Sequence, residues 1–272
     1  MAAVRCAVLG KPITHSLSPV LHRAAYDALG LSGWSYDAVE VGADGLGDFL
    51  ADLDDSWRGL SLTMPLKRAV LPLLDSVSPV AGAAGAVNTV LLGEGLRVGD
   101  NTDVPGAVAA IRERHDGSLR DAVLVGGGAT ASSVLLALAE LGCRGVTMLV
   151  RDQARAAEAV ATAARAGGPL VTTAPLAGGP LGADIVVSTV PVAAQTPELL
   201  ARLAEIPVVF EVVYDGWPTP LARSVGPDRT LIGGLDLLVH QAALQVGLMA
   251  RLSDVPLHVM RAAGERALAD RS

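Results

Sequence analysis

Asp121-Ala122-Val123-Leu124-Val125-Gly126-Gly127-Gly128-Ala129-Thr130-Ala131 is the stretch on which the fold turns. A short apolar run meets three glycines, and a pattern of small and apolar residues at helical spacing then continues through Leu141. Gly126 to Ala131 therefore matches Gly-x-Gly-x-x-Ala between a strand and a helix. There the glycines allow a tight turn and let a pyrophosphate approach the helix N-terminus closely. The uncharged run Ala122 to Ala139 is long enough to raise a membrane span, but Gly126-Gly127-Gly128 and Thr130-Ala131-Ser132-Ser133 read as a turn and a helix start in a soluble domain.

Downstream, the spacing predicts a strand from Gly145 to Val150, a helix from Gln153 to Ala166, and strands at Ile185 to Val187 and Val208 to Val213. This series is βαβ in kind and implies a doubly wound parallel sheet with right-handed crossovers. A Gly/Pro-rich stretch runs from Gly167 to Gly182. Gly233-Gly234 ends the region, and two amphipathic helices follow, about Leu235 to Arg251 and Pro256 to Ala269. The end of the second strand selects the cofactor: an acidic residue suits the ribose hydroxyl of NAD, and arginine the 2′-phosphate of NADP. Arg151 and Arg155 favour NADP. Asp152 speaks for NAD, a weaker alternative.

Upstream, strands are expected at Val4 to Leu9, Trp34 to Val41 and Gly59 to Leu62, with a helix from Pro19 to Leu29. Val87 to Leu92 and Leu96 to Val98 flank Gly93-Glu94-Gly95 as a hairpin. A helix from about Pro105 to Arg114 leads into His115-Asp116-Gly117-Ser118, a polar turn that reads as a domain boundary. Apolar residues make up 51% of the 272 and aromatics only 3%, so the core is built from Ala, Val, Leu and Ile, as suits parallel strands covered by helices. The formal charge of −7 argues against nucleic-acid or anionic-membrane partners. Cys6 and Cys143 have no metal or redox spacing and read as buried, reduced thiols of a cytoplasmic protein. The five histidines have no zinc-ligand pattern. Arg5 and Lys11 interrupt the start, so no signal peptide is expected.

Lys11 and Lys67 are the only lysines among 21 basic residues. Arginine stays protonated, whereas a lysine can be tuned to take up and release a proton. Lys67 lies in Ser61-Leu62-Thr63-Met64-Pro65-Leu66-Lys67, near an expected helix start. Gly10-Lys11-Pro12-Ile13-Thr14-His15-Ser16-Leu17-Ser18-Pro19 is not a P-loop, since Arg5 stands where its first glycine belongs. Ser18-Pro19 can be read as a helix cap and first turn, while Ser16 and Ser18 together would suit a small carboxylate. Asp103, in Gly99-Asp100-Asn101-Thr102-Asp103, is likewise either a cap or a functional carboxylate.

Taken together, these segments resemble shikimate dehydrogenase over nearly the whole chain. The likeness is carried in order by Lys11 to Pro19, Thr63 to Lys67, Ala86-Val87-Asn88-Thr89, Asn101-Thr102-Asp103, Gly126 to Ala131, Tyr214 with Trp217 to Leu221, and Gly234 through Gln241. The resemblance implies an α/β substrate-binding catalytic domain, residues 1–104, onto which 235–272 pack back, and an NADP-binding Rossmann-like domain, 105–234, with the active site in the cleft between. It implies Lys67 and Asp103 as the catalytic pair and Ser16 and Ser18 on the substrate carboxylate. Thr63, Asn88, Asp103 and Gln241 would bind ring hydroxyls, with Tyr214 closing the pocket. Gly126, Gly127, Gly128, Ala129, Thr130, Ala131, Arg151, Arg155 and Gly234 form the cofactor set. The reaction implied is reversible NADPH-dependent reduction of 3-dehydroshikimate, in a monomer or homodimer. Ser61 departs from the family's usual asparagine and Glu211 from its aspartate. A quinate or aminoshikimate dehydrogenase on the same scaffold, a folate-linked dehydrogenase and a dinucleotide-sensing module are the alternatives.

Overall fold

The computed structural model describes residues 3–271, with the side chain of Arg155 outside that description. The chain divides into two compact units, one formed by residues up to Thr102 together with Leu238–Arg271, the other by Asp103–Leu237.

In the first unit the order is β1 (Val4–Gly10), α1 (Ser18–Ala28), β2 (Trp34–Glu40), α2 (Leu46–Ala51), β3 (Trp57–Leu62), α3 (Leu66–Ala69), β4 (Ser76–Val77), α4 (Pro79–Ala84), β5 (Thr89–Gly93) and β6 (Leu96–Asp100). They form a mixed sheet in the order β2-β1-β3-β5-β6-β4. β1 runs parallel to β2 and β3, whereas β5 is antiparallel to both β3 and β6. The β5–β6 connection is the expected hairpin: Glu94 and Gly95 both have positive φ, 54° and 74°, which gives a turn whose twist matches the strands. β5 starts at Thr89 rather than Val87: Asn88 still bonds to both flanking strands, its carbonyl accepting from Leu62 N–H at 2.8 Å, but Val87 turns to α3. Val87 N–H donates to Lys67 O at 2.7 Å and Asn88 N–H to Asp100 O at 3.1 Å. The buried core runs through Leu9, Leu46, Leu60, Leu62, Leu66 and Val90.

The second unit contains α5 (Asp103–Arg114), β7 (Asp121–Val125), α6 (Ala129–Glu140), β8 (Gly145–Leu149), α7 (Gln153–Arg165), β9 (Leu170–Ala174), β10 (Ile185–Ser188), α8 (Pro197–Arg202), β11 (Val208–Glu211), α9 (Pro220–Arg223) and β12 (Thr230–Ile232). Its sheet, ordered β12-β11-β10-β7-β8-β9, is parallel throughout. This is the doubly wound dinucleotide-binding order, with its switch point between β7 and β10. α5 packs on α6 and β12, so His115–Ser118 lies inside this unit and the division falls earlier, at Thr102/Asp103. The uncharged run near Ala122 is broken by the glycines into β7 and α6. Among the described residues no helix is long and apolar enough to cross a membrane.

α10 (Gly234–Ala250) begins in the second unit and ends in the first, and α11 (Leu257–Ala269) packs on α1. Within the first unit, Gly59 of β3 makes room for Met249 of α10, since a Cβ there would stand 2.6 Å from Met249 Cγ.

Candidate active site

In the second unit, β7 ends where the glycine turn begins. Gly126 has φ 111°, and a side chain there would also strike the Thr189 hydroxyl at the end of β10, which donates to Val125 O at 2.9 Å. Gly127 follows in the turn. Gly128 is extended and precedes α6, with nothing within 4 Å of where its Cβ would stand, so that side of the turn is open for close approach of a ligand. Ala129 and Thr130 open α6, and Ala131 is fully buried, the small residue that lets the helix lie close to the sheet. Arg151 is exposed just beyond β8. Asp152 caps α7, its Oδ1 accepting from Ala154 N at 2.9 Å. Arg155 falls outside the described side chains. Gly234 is required by packing, because a Cβ would collide with the Val212 carbonyl.

Glu211, at the end of β11, is fully buried. Burial pushes its carboxyl above the usual range, while Val213 N, Thr219 Oγ1 and Gln195 Nε2 all donate to it. These bonds tie down both ends of the loop that carries half-buried Tyr214.

In the first unit, Ser16 and Ser18 are joined by a bond from Ser18 N to Ser16 Oγ at 3.3 Å. The cap reading of Ser18 is corrected: Leu17 occupies the N-cap of α1, no side chain caps it, and Ser18 is the first helical residue. Thr63 is held beside β1, its N–H bonded to Leu9 O at 2.9 Å. Lys67 is the second residue of the four-residue α3, and the Val87–Lys67 backbone bond sets it next to the Asn88 loop.

Asn88 and Gln241 are both buried. Asn88 Nδ2 donates to Thr102 Oγ1 at 2.9 Å and to Gln241 Oε1 at 3.4 Å. Asp103 follows Thr102 in sequence, opens α5 and is 6% exposed. The fold thus gathers Asn88, Thr102 and Gln241 around one point, with Lys67 attached through the backbone. Sequence reasoning passed over Thr89, Thr102 and Gln245. The spacing of four between Gln241 and Gln245, on a helix whose other polar side chains are Asp236 and His240, was the available signal, since it places both amides on one face. Ser61 is buried and bonded to Tyr36 and Gln245, a polar seam between sheet and helix.

Residues 8–90 match the family model for the shikimate dehydrogenase substrate binding domain. A shikimate dehydrogenase (NADP(+)) of Methylobacterium radiotolerans is 36% identical over 259 residues, spanning 89% of this chain and 89% of the relative. The chain belongs to the shikimate dehydrogenase family. Among solved structures, the Mycobacterium tuberculosis shikimate dehydrogenase superposes with a TM-score of 0.88 at 36% identity, covering 97% of this chain and 99% of the other. The Thermus thermophilus shikimate 5-dehydrogenase in complex with NADP(H) and shikimate gives 0.85 at 33% identity, over 97% and 99%. As in other shikimate dehydrogenases, an α/β substrate-binding domain and a Rossmann-like domain make up the fold.

Proposed function

We propose that this protein is an NADP-dependent shikimate dehydrogenase that interconverts shikimate and 3-dehydroshikimate. The observation that carries the reading is the Val87–Lys67 bond, which sets one of only two lysines beside the buried Asn88–Gln241 amide pair, a combination suited to a polyhydroxylated substrate with a proton to move. The Gly126–Gly128 turn, its open side and the exposed Arg151 fit a dinucleotide phosphate. With Asp152 engaged as a helix cap, the acidic residue that would favour NAD is otherwise occupied.

Bound NADP supplies the hydride acceptor in oxidation and, reduced, the donor. The chain's own task is to orient the ring and manage the proton. Lys67, as ammonium, donates to the carbonyl oxygen of 3-dehydroshikimate as reduction proceeds; as amine, it takes the hydroxyl proton back in oxidation. Asp103 holds Lys67 and a ring hydroxyl, Ser16 and Ser18 bind the carboxylate, Thr63, Asn88 and Gln241 bind hydroxyls, and Tyr214 covers the ring. The same reading makes the protein cytoplasmic, with small molecules as its ligands.

The test is a panel of shikimate, quinate and aminoshikimate with NADP and NAD. Quinate adds a hydroxyl on the carbon that bears the carboxylate, next to two serines, and a buried site without a partner for it discriminates by about 1–3 kcal/mol. Shikimate with NADP should therefore give the highest kcat/KM. A higher value for quinate overturns the assignment.

A further inference from the structure

Three side-chain amides meet in the first unit, and a backbone group fixes the orientation of each. Asn88 Oδ1 accepts from the Thr102 backbone N–H at 2.8 Å. Gln241 Nε2 donates to Leu238 O at 2.9 Å, and Gln245 Nε2 to Asn88 O at 3.1 Å. A backbone N–H only donates and a carbonyl only accepts, so none of the three amides can be turned over without setting like against like.

With the ends fixed, the remaining bonds acquire a direction. Tyr36 OH donates to Ser61 Oγ at 2.6 Å, and Ser61 Oγ to Gln245 Oε1 at 2.8 Å. Gln245 Nε2 also donates to Thr89 Oγ1 at 3.0 Å, and Thr89 Oγ1 passes its own proton to Asn88 Oδ1 at 2.8 Å. Asn88 Oδ1 is therefore held by the Thr102 N–H and the Thr89 hydroxyl, with Thr102 Oγ1 farther off at 3.3 Å, and the Asn88 amino group faces Thr102 Oγ1 at 2.9 Å and Gln241 Oε1 at 3.4 Å. Thr89 is fully buried and Gln245 is 2% exposed, so water cannot take over either role.

We infer that Gln245 and Thr89 are positioning residues for substrate recognition: they hold Asn88 so that, with Gln241, it reads one ring hydroxyl as acceptor of an Asn88 proton and donor to the Gln241 carbonyl. The inference rests on the proposed substrate site. A ligand lacking that hydroxyl, or carrying a group that can only accept, leaves Gln241 Oε1 with only its long contacts to Asn88 Nδ2 and Thr102 Oγ1, 3.4 and 3.5 Å. Tyr36 and Ser61 extend the support from β2 and β3.

The experiment compares wild type with Thr89→Val, Thr89→Ser and Gln245→Met, using shikimate and its singly deoxygenated analogues at saturating NADP. Loss of a buried partner should raise KM for shikimate about 10- to 100-fold in Thr89→Val and Gln245→Met, with kcat within about threefold. KM for NADP should not move, and Thr89→Ser, which keeps the hydroxyl, should stay within about threefold of wild type. For one deoxygenated analogue, wild type and Thr89→Val should become equal. Unchanged KM in folded variants, or an equal loss on every analogue, overturns the inference. Shikimate should also shift the side-chain NH2 resonance of Asn88 in labelled wild type, and an unshifted resonance overturns the inference without any variant. A wild type inert towards shikimate sinks the proposed function and this inference with it, whereas an active wild type with indifferent variants sinks only the inference.

Discussion

Lys67 and Arg151 answer different chemical demands, and each can be removed without touching the other. Lys67→Ala should lower shikimate turnover by at least about a hundredfold, the scale of general acid–base catalysis, with NADP affinity unchanged by fluorescence titration. Near-normal turnover in the folded variant would remove Lys67 from the proton path. Arg151→Ala should weaken NADP and leave NAD almost untouched, because only the 2′-phosphate gains charge-assisted bonds from a guanidinium. The ratio of kcat/KM for the two cofactors in both proteins measures this, and an equal fall for both would exclude Arg151 as selector. Lys67 stood out in the sequence because lysine is scarce in it. Gln245 did not: its spacing of four from Gln241 marks a shared helix face but not a role, which appears only when Asn88, 157 positions away, is brought against it.

At the scale of elements, α1 and β2 are joined by a buried stack of His22 on Tyr36, with ring centroids 3.8 Å apart. Burial lowers the His22 pKa from 6.5 to about 4, although its bond to Ser18 O works the other way. A depressed folded-state pKa means that the unfolded chain takes up the proton first as pH falls below about 6.5. Stability is thus intact above that value and is lost progressively towards pH 4. Between pH 7 and 5 the loss should be about 2 kcal/mol. Urea unfolding of wild type and His22→Phe across this range tests it: the variant should lack this component, and parallel pH profiles would refute it. Elements buried on both sides were legible in the sequence: the expected bounds of β7, β8 and β10 lie within one residue of those observed. β9 and β12, the two edges of the same sheet, were not. Each has one neighbour only, β9 is largely exposed and β12 is three residues long, so neither carries a strong apolar pattern.

For the whole molecule, the discontinuity of the first unit makes a specific demand on the C-terminal segment. Leu238–Arg271 contributes Gln241, Gln245 and the helix that packs on α1, whereas the glycine turn and Arg151 lie wholly before it. A chain cut after Leu237 should lose the thermal shift produced by shikimate and keep that produced by NADP. At ligand concentrations about a hundred times Kd the retained stabilisation should be about 2.7 kcal/mol. Differential scanning fluorimetry reads both, and a preserved shikimate shift would show that the last two helices are dispensable for binding.

The same discontinuity orders events during synthesis. The strands β1 to β6 leave the ribosome long before α10 and α11, which complete their unit, while every residue of the second unit up to Leu237 has already been made. At about 5–20 residues per second the N-terminal segment waits on the order of ten seconds for its last helices. Until Gln245 arrives, Ser61, Thr89 and the Asn88 carbonyl lack a partner that they have in the finished protein. The nascent chain must therefore shelter a sheet that still lacks its last two helices, and the unit that begins first is finished last.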